Sequence, residues 1–265
     1  MTRILVSGCS YMAGQGLPMM HTDLDNFANI FIHGIFNDQN IQIKIDNIAV
    51  PGASNKDIFV DVLEKISKCA YDHVFVGWTS YPRHRIFLGV DSDRVVYKGH
   101  FFNPYNIGNH QAWKRFSKKK LEIANEILSS SHDHYEILEI LRYSMILKNI
   151  VKNIHFINVK ACWGEGYFER KTWSYPIELD DYTKNVLDWN DRSDDDIREL
   201  YNKLHRDYQN IIDPELFTKW LNLYTPMNNF RVDTGNDDQH PGPITHKKFA
   251  NFLINQYKTI SDLKQ

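Results

Sequence analysis

This sequence of 265 residues has only three cysteines, no long apolar run and nearly equal numbers of positive and negative charges. The three cysteines are an odd number without a C-x-x-C pair, so neither a disulfide framework nor a structural zinc site is predicted. No run approaches the roughly 20 apolar residues of a membrane span, and the first residues lack the apolar core of a signal peptide. We therefore expect a cytoplasmic protein that does not bind a membrane.

The charges are nearly balanced, since 31 Lys and Arg face 33 Asp and Glu for a formal net charge of −2. Such a chain has no overall field that would attract nucleic acid, and no nucleic-acid partner is predicted. The one strong basic run, at 114–120, is accompanied by the apolar residues Trp113, Phe116 and Leu121 and is interpreted as the solvated side of an amphipathic helix. The 12 histidines form no H-E-x-x-H or comparable pair, so we predict neither a metal nor another cofactor. The oligomeric state stays open.

Short β-branched runs alternate along the chain with longer segments of helical period. This alternation is typical of a parallel sheet covered by helices on both faces. Strands are predicted at 3–7, 41–48, 73–76 and 154–159, and helices on the sheet at 23–36, 56–69, 133–151 and 244–257. Two insertions, at about 88–130 and 161–227, interrupt the alternation. The pattern predicts one α/β domain that spans residues 1–265.

Residues that directly follow the strands are the first candidates for chemistry, because ligands of open α/β sheets bind beyond the carboxyl ends of the strands. Ser10 follows the first strand on a glycine turn whose N–H groups can face a developing oxyanion. Gly52 follows the second strand, and its missing side chain lets a ligand approach its N–H. Gly77–Ser80 follow the third strand, and Asp237 and His240 precede the last helix.

Each candidate also has a purely structural interpretation. Ser10 can cap a helix, and His240 can cap the last helix. Gly52 can simply allow the chain to turn after Pro51. Cys9 is an alternative nucleophile, but its side chain is expected to point away from that of Ser10 and into the core. The order and spacing of the candidates favour the functional interpretation.

These motifs together resemble the SGNH, or GDSL-like, hydrolase family, which contains many esterases. Gly8–Tyr11 match the family's first block, with Cys9 where aspartate is common, and residues 47–54 are similar to the second block. Asp237-x-x-His240 matches the last block. The resemblance implies a flavodoxin-like three-layer α/β/α fold with a mostly parallel sheet. It also implies a catalytic triad of Ser10, Asp237 and His240.

The third block departs from the family pattern. The family usually has an asparagine shortly after the glycine of this block, whereas this chain has Gly77-Trp78-Thr79-Ser80. The resemblance implies an oxyanion hole that includes Ser10 and Gly52, with Thr79, Ser80 or Asn55 in place of the asparagine. A missing oxyanion donor costs roughly 10²–10³ in turnover, so we expect weak activity or a substitute donor.

The resemblance implies a serine-dependent ester hydrolase that removes acyl groups, acetyl groups in particular, from a carbohydrate or another small molecule. Trp78 and Arg83 are expected to contact the substrate. Two alternatives stay open. One is an O-acyltransferase that uses the same residues, and the other is a catalytically silent module that binds a glycan or a partner.

Overall fold

The computed structural model of the chain describes residues 1–36, 41–79, 84–86, 100–102, 133–160, 216, 219–222 and 225–262. The strands in this part of the chain are β1 (Thr2–Gly8), β2 (Ile43–Asn47), β3 (His73–Trp78), β4 (His84–Ile86), β5 (His100–Phe102) and β6 (Ile154–Asn158). The α-helices described are α1 (Ser10–Ala13), α2 (Phe27–Phe36), α3 (Asn55–Lys68), α4 (Asp133–Ile150) and α5 (Pro243–Asp262). A 3-10 helix at Met227–Phe230 precedes α5.

Four strands form a parallel sheet in the order β2-β1-β3-β6, and β4 and β5 form a separate antiparallel pair. The chain leaves β1 for β2 on one side and then continues with β3 on the other side of β1. This reversal is the topological switch point of the sheet, and ligands bind at such a point beyond the carboxyl ends of the strands. The register pairs Gly8 of β1 with Gly77 of β3, so both strands end at the same level.

Helices cover both faces of this sheet. Successive residues of β1 alternate between the faces, so Ile4 and Val6 join one apolar cluster while Leu5 joins the other. The first cluster includes core residues of α2 and α5, namely Phe27, Phe31, Ile32, Phe249 and Leu253. The second includes core residues of α3 and α4, namely Ile58, Val62, Ile140, Leu141 and Leu147. The predicted three-layer α/β/α architecture is thus confirmed.

The four strands of the parallel sheet and helices α2 to α5 correspond to predicted elements, with shifts at some ends, whereas α1, β4, β5 and the 3-10 helix were not predicted. Helix α2 was expected from residue 23 but begins at Phe27. The Asp23 carboxylate accepts hydrogen bonds from the N–H groups of Met19 and Asp25, and the Asn26 side chain accepts one from Ala28. These bonds hold a turn before the helix, since short polar side chains compete for backbone N–H groups.

Most of the two predicted insertions lies outside the described residues, and the single-domain organisation stays a prediction. Among the described residues, no helix is both long and apolar enough to cross a membrane.

Candidate active site

Ser10 is the first residue of α1, a single helical turn directly beyond β1. A Cβ atom added at Gly8 would lie 2.4 Å from Met12 Cγ, and one added at Gly77 would lie 2.3 Å from the same atom. Glycines at the ends of β1 and β3 therefore make room for the Met12 side chain. As a result α1 packs directly over the ends of both strands, at the switch point of the sheet.

Hydrogen bonds from two asparagines outside α1, and a glycine cap at its end, hold this turn in place. The carbonyl of Met12 accepts hydrogen bonds from Nδ2 of Asn26 at 2.9 Å and from Nδ2 of Asn47 at 3.0 Å. Gly14 ends the turn in the left-handed region with a φ of 73°, and its N–H reaches back to the carbonyls of Ser10 and Tyr11. A single turn is not stable by itself, so these contacts fix the position of Ser10, which is 2% exposed.

Asp237 and His240 lie in a loop that is closed by an antiparallel bridge between Thr234 and Pro241. Oδ1 of Asp237 accepts the N–H groups of Gln239 at 3.1 Å and His240 at 2.9 Å. Its Oδ2 lies 2.6 Å from Nδ1 of His240. One carboxylate thus holds both the backbone and the ring of the histidine.

This pairing decides which nitrogen of the His240 ring can act as a base. Burial tends to raise the pKa of Asp237, but the hydrogen bonds from His240 and Gln239 outweigh it and hold this pKa below its ordinary value. Asp237 is therefore ionised at neutral pH and can only accept a hydrogen bond. Nδ1 of His240 consequently carries the hydrogen, which leaves the Nε2 lone pair available.

The loop of Asp237 and His240 contacts the loop that follows α1. The N–H of Asn236 donates to the carbonyl of Gly16 at 2.8 Å. A Cβ atom at Gly16 would lie 3.0 Å from Asp237 Oδ1 and 3.1 Å from His240 Cβ. A Cβ atom at Gly235 would lie 2.6 Å from the Gly16 oxygen. The two loops therefore touch through glycines, a contact that the sequence analysis missed.

The ring of Tyr11, the residue after Ser10, also meets the ring of His240. The two ring centroids are 5.7 Å apart in an edge contact, and the Tyr11 hydroxyl donates to Asn228 Oδ1 at 3.0 Å. Lys160 Nζ lies 4.2 Å from the centre of the Tyr11 ring. Lys160 is not among the predicted site residues, although its place just after β6 is a signal that could have identified it. His240 is thus brought next to α1, the helix that begins with Ser10.

Gly52 occupies the third position of a tight turn formed by Val50–Ala53. The N–H of Ala53 donates to the Val50 carbonyl at 3.0 Å, and Gly52 has a φ of 82°. Pro51 before a glycine with positive φ is the pattern of a type II turn, whose own hydrogen bond does not use the glycine N–H. The N–H of Val50 donates to the Gly8 carbonyl at 2.9 Å, so the turn lies beside the end of β1.

Asn55 and Thr79 form a buried pair between the start of α3 and the end of β3. Nδ2 of Asn55 donates to the Thr79 carbonyl at 3.0 Å, and the Thr79 N–H donates to Oδ1 of Asn55 at 2.9 Å. The Thr79 hydroxyl is buried and has no hydrogen-bond partner among the described residues. Ser80 and Arg83, the other expected contributors, lie outside the described residues.

Trp78 is the last residue of β3 and lies in the core. Its side chain is 0% exposed, and its ring stacks on Phe156 at 6.0 Å between centroids. Because β3 continues through Trp78, alternation along the strand turns this residue to the same face as Val74 and Val76. The ring therefore lies in the core on that face of the sheet, and the expected contact of Trp78 with the substrate stays a prediction.

Cys9 is fully buried in the apolar cluster beneath α2 and α5, on the side expected from the sequence. Among the described residues, no group of three or more His, Cys, Asp or Glu side chains is arranged to hold a metal ion.

No protein-family model matches the chain, and no curated protein matches it. Solved structures do match it over nearly its whole length. An acetylxylan esterase from Geobacillus stearothermophilus has 12% identity and a TM-score of 0.46, over 96% of this chain and 93% of the other. The psychrotrophic esterase EstA from Pseudoalteromonas sp. has 7% identity and a TM-score of 0.47, over 99% and 100%. A member of the lipolytic G-D-S-L family from Veillonella parvula has 11% identity and a TM-score of 0.43, over 98% and 97%.

Proposed function

We propose that the chain is a serine-dependent ester hydrolase of the SGNH/GDSL-like type. The observation that carries the proposal is the 2.6 Å contact between Asp237 and His240, in a loop that touches the loop following Ser10 through Gly16. This contact supports a joint role for a hydroxyl near the start of the chain and an imidazole near its end. Ser10 is the nucleophile, His240 the general base, and Asp237 the residue that orients the base.

In the first half of the reaction, Ser10 Oγ attacks the carbonyl carbon of the ester and its proton passes to Nε2 of His240. The carbonyl electron pair moves onto oxygen, which becomes an oxyanion that the backbone N–H groups of Ser10 and Gly52 stabilise. When the oxyanion collapses, the bond to the alcohol oxygen breaks. The alcohol leaves with the proton from His240, and the acyl group stays on Ser10.

In the second half, a water molecule attacks the acyl-serine ester. Its proton passes to Nε2 of His240, and the tetrahedral intermediate releases the carboxylic acid. The proton then returns from His240 to Ser10 Oγ. Throughout, ionised Asp237 accepts the Nδ1 hydrogen and stabilises the imidazolium that forms in each half.

The substrate class within this proposal is a short acyl group, such as acetyl, on a carbohydrate or another small alcohol. Ser10 is only 2% exposed, which favours a small acyl group over a long chain at the nucleophile. A panel of p-nitrophenyl esters of increasing acyl length tests this part. We expect the acetate to be hydrolysed faster than the octanoate.

Labelling with a fluorophosphonate probe and hydrolysis of p-nitrophenyl acetate test the proposal. The unmodified chain should be labelled at Ser10, and Ser10→Ala should abolish labelling and lower kcat by about 10⁴ or more. Ser67→Ala, at an exposed serine of α3, is the control and should retain both activities. A chain that is neither labelled nor active would contradict the proposal and favour a silent binding module. Products that carry an added alcohol would instead indicate acyl transfer.

A further inference from the structure

The ends of β1 and β3 lie side by side and indicate which residue supplies the third oxyanion donor, an inference that rests on the proposed function. Gly8 pairs with Gly77 in the register of these strands. Ser10 and Thr79 each follow two residues later, so they leave the sheet at the same level on neighbouring strands. Met12 of α1 fills the space above both glycines, which keeps the turn of Ser10 directly over the end of β3.

Thr79 has a hydroxyl that no described residue uses. Its side chain is 0% exposed, and its Oγ1 has no hydrogen-bond partner among the described residues. Buried hydroxyls are nearly always paired, because an unpaired one loses its bonds to water without replacement. Ser10, which leaves the sheet at the same level on the neighbouring strand, is also buried at 2% exposed.

The backbone of Thr79 is held from both sides by one side chain. The amide of Asn55 donates to the Thr79 carbonyl and accepts from its N–H, at 3.0 Å and 2.9 Å. Asn55 is itself fixed as the first residue of α3, whose capping box joins Ser54 and Asp57. It follows Gly52 by only three residues, so it ties the turn of Gly52 to the end of β3.

We infer that the Thr79 hydroxyl is the third oxyanion donor, and that Asn55 is a positioning residue that holds it beside Ser10 and Gly52. The carbonyl oxygen of the ester, which becomes the oxyanion, is the acceptor that the described residues do not supply to this hydroxyl. Thr79 thereby takes the part that an asparagine side chain takes in the third block of the resembled family.

Two variants of Thr79 test the donor. Thr79→Val removes only the hydroxyl and should lower kcat for p-nitrophenyl acetate by about 10²–10³ with little change in KM. Its Tm should not decrease, because none of the residues that the structure describes would lose a hydrogen bond. Thr79→Ser keeps a hydroxyl and should retain kcat within about tenfold of the unmodified chain.

A double-mutant cycle tests the positioning role of Asn55. Asn55→Ala should lower kcat by roughly 10–100-fold, because a misplaced catalytic group loses most of its effect. In the Thr79→Val background the same change should lower kcat little further, since the donor it positions is already absent. A purely structural role for Asn55 would lower kcat equally in both backgrounds and would overturn the positioning role.

The outcomes separate this inference from the proposed function. If the unmodified chain is active and labelled at Ser10 but Thr79→Val is equally active, Thr79 is not the donor and the ester hydrolase stands. If Thr79→Val loses its folded state, the hydroxyl has a structural partner and the inference is overturned. If the unmodified chain is neither labelled nor active, both proposals fail together.

Discussion

At the scale of single residues, the absence of a side chain at Gly16 allows the loop after α1 to contact the loop of Asp237 and His240. Gly16 has a φ of 93°, in a region that side chains with a Cβ atom rarely adopt. Its missing Cβ leaves room for the Asp237 carboxylate and the His240 side chain. Glycine at position 16 therefore has two roles. It allows the positive φ of its own loop, and it leaves room for the loop of Asp237 and His240 to pack against it.

We expect Gly16→Ala to lower kcat for ester hydrolysis by about tenfold or more, because the added methyl group displaces the Asp237–His240 pair. The positive φ should also reduce the free energy of unfolding by about 1–2 kcal/mol. Gly34→Ala is the matched control, since its Cβ would meet only the end of the Ile254 side chain between α2 and α5. Gly34→Ala should keep its kcat. Steady-state kinetics and urea unfolding check both variants, and an unchanged kcat in Gly16→Ala would contradict the contact.

At the scale of elements, the start of α5 is stabilised by a residue outside the helix. The position before Pro243 is Gly242, which has no side chain to cap the helix. Asp233 supplies the cap instead, since its carboxylate accepts from the N–H groups of Ile244 at 2.9 Å and Thr245 at 2.8 Å. A Cβ at Gly242 would lie 2.5 Å from Asp233 Oδ2, so the glycine makes room for this external cap.

Removal of this cap should cost stability in a pH-dependent way. Asp233→Ala should lower the free energy of unfolding at pH 7 by about 1–2 kcal/mol. Burial tends to raise the pKa of Asp233, but the hydrogen bonds from Thr245 and Ile244 outweigh it and lower this pKa. The contribution of the carboxylate is therefore complete above its ordinary pKa and is lost as the pH falls through the lowered value.

Urea unfolding between pH 7 and pH 3 measures this contribution. The difference between the unmodified chain and Asp233→Ala should shrink at the acidic end of the range. Asp233→Asn retains an acceptor oxygen without the charge and should lie between the two. A difference that stays constant over the whole range would show that the charge of Asp233 has no part in the cap.

At the scale of the whole molecule, a buried histidine joins two helices that are more than 200 residues apart in the sequence. His246 of α5 accepts the N–H of Phe27, the first residue of α2, at 3.0 Å through its Nδ1. Burial lowers the pKa of His246 to about 4, although Asp233 and Asp23 act in the opposite direction. The folded chain therefore keeps this ring neutral over a range of pH in which the unfolded chain protonates it.

The sign of the resulting pH dependence follows from proton binding. Between the ordinary histidine pKa and about 4, the unfolded state binds a proton at His246 that the folded state does not. Stability should thus decrease as the pH falls, by about 2 kcal/mol between pH 7 and pH 5. His246→Asn keeps an acceptor for the Phe27 N–H but does not titrate, so its stability should vary less with pH.

Urea unfolding of both chains at pH 7 and pH 5 checks this prediction. Burial also lowers the pKa of His73, which contributes in the same direction in both chains. The comparison with His246→Asn removes that common contribution. An equal loss of stability in both chains would contradict the role assigned to His246.

Much of the molecule could be predicted from the sequence because its signals are local. The apolar runs of β1 and β3 are buried on both faces, and such runs indicate parallel strands without knowledge of their neighbours. The family resemblance implied that Asp237 and His240 form a pair, and their separation by three residues lets one carboxylate bind the ring and the backbone of the histidine. Their catalytic role remains a proposal.

The parts that could not be predicted depend on contacts between distant residues or on one residue at the end of an element. The sequence pattern ends β3 at Val76 and predicts a loop at Trp78. In the structure β3 continues for two more residues, and the Trp78 ring lies in the core. Gly16 and Asp233 meet partners far away in the sequence, and such contacts leave no periodic pattern. The requirement for a glycine at position 16 is apparent only from the structure.

The loop that carries His240 leads into α5, which packs on one face of the sheet, whereas Ser10 directly follows β1. During synthesis, a ribosome-bound chain therefore exposes its serine more than two hundred residues before the imidazole exists. Such a nascent chain should remain inert toward esters until its final helix docks. Ester turnover would then serve as a readout of completed folding.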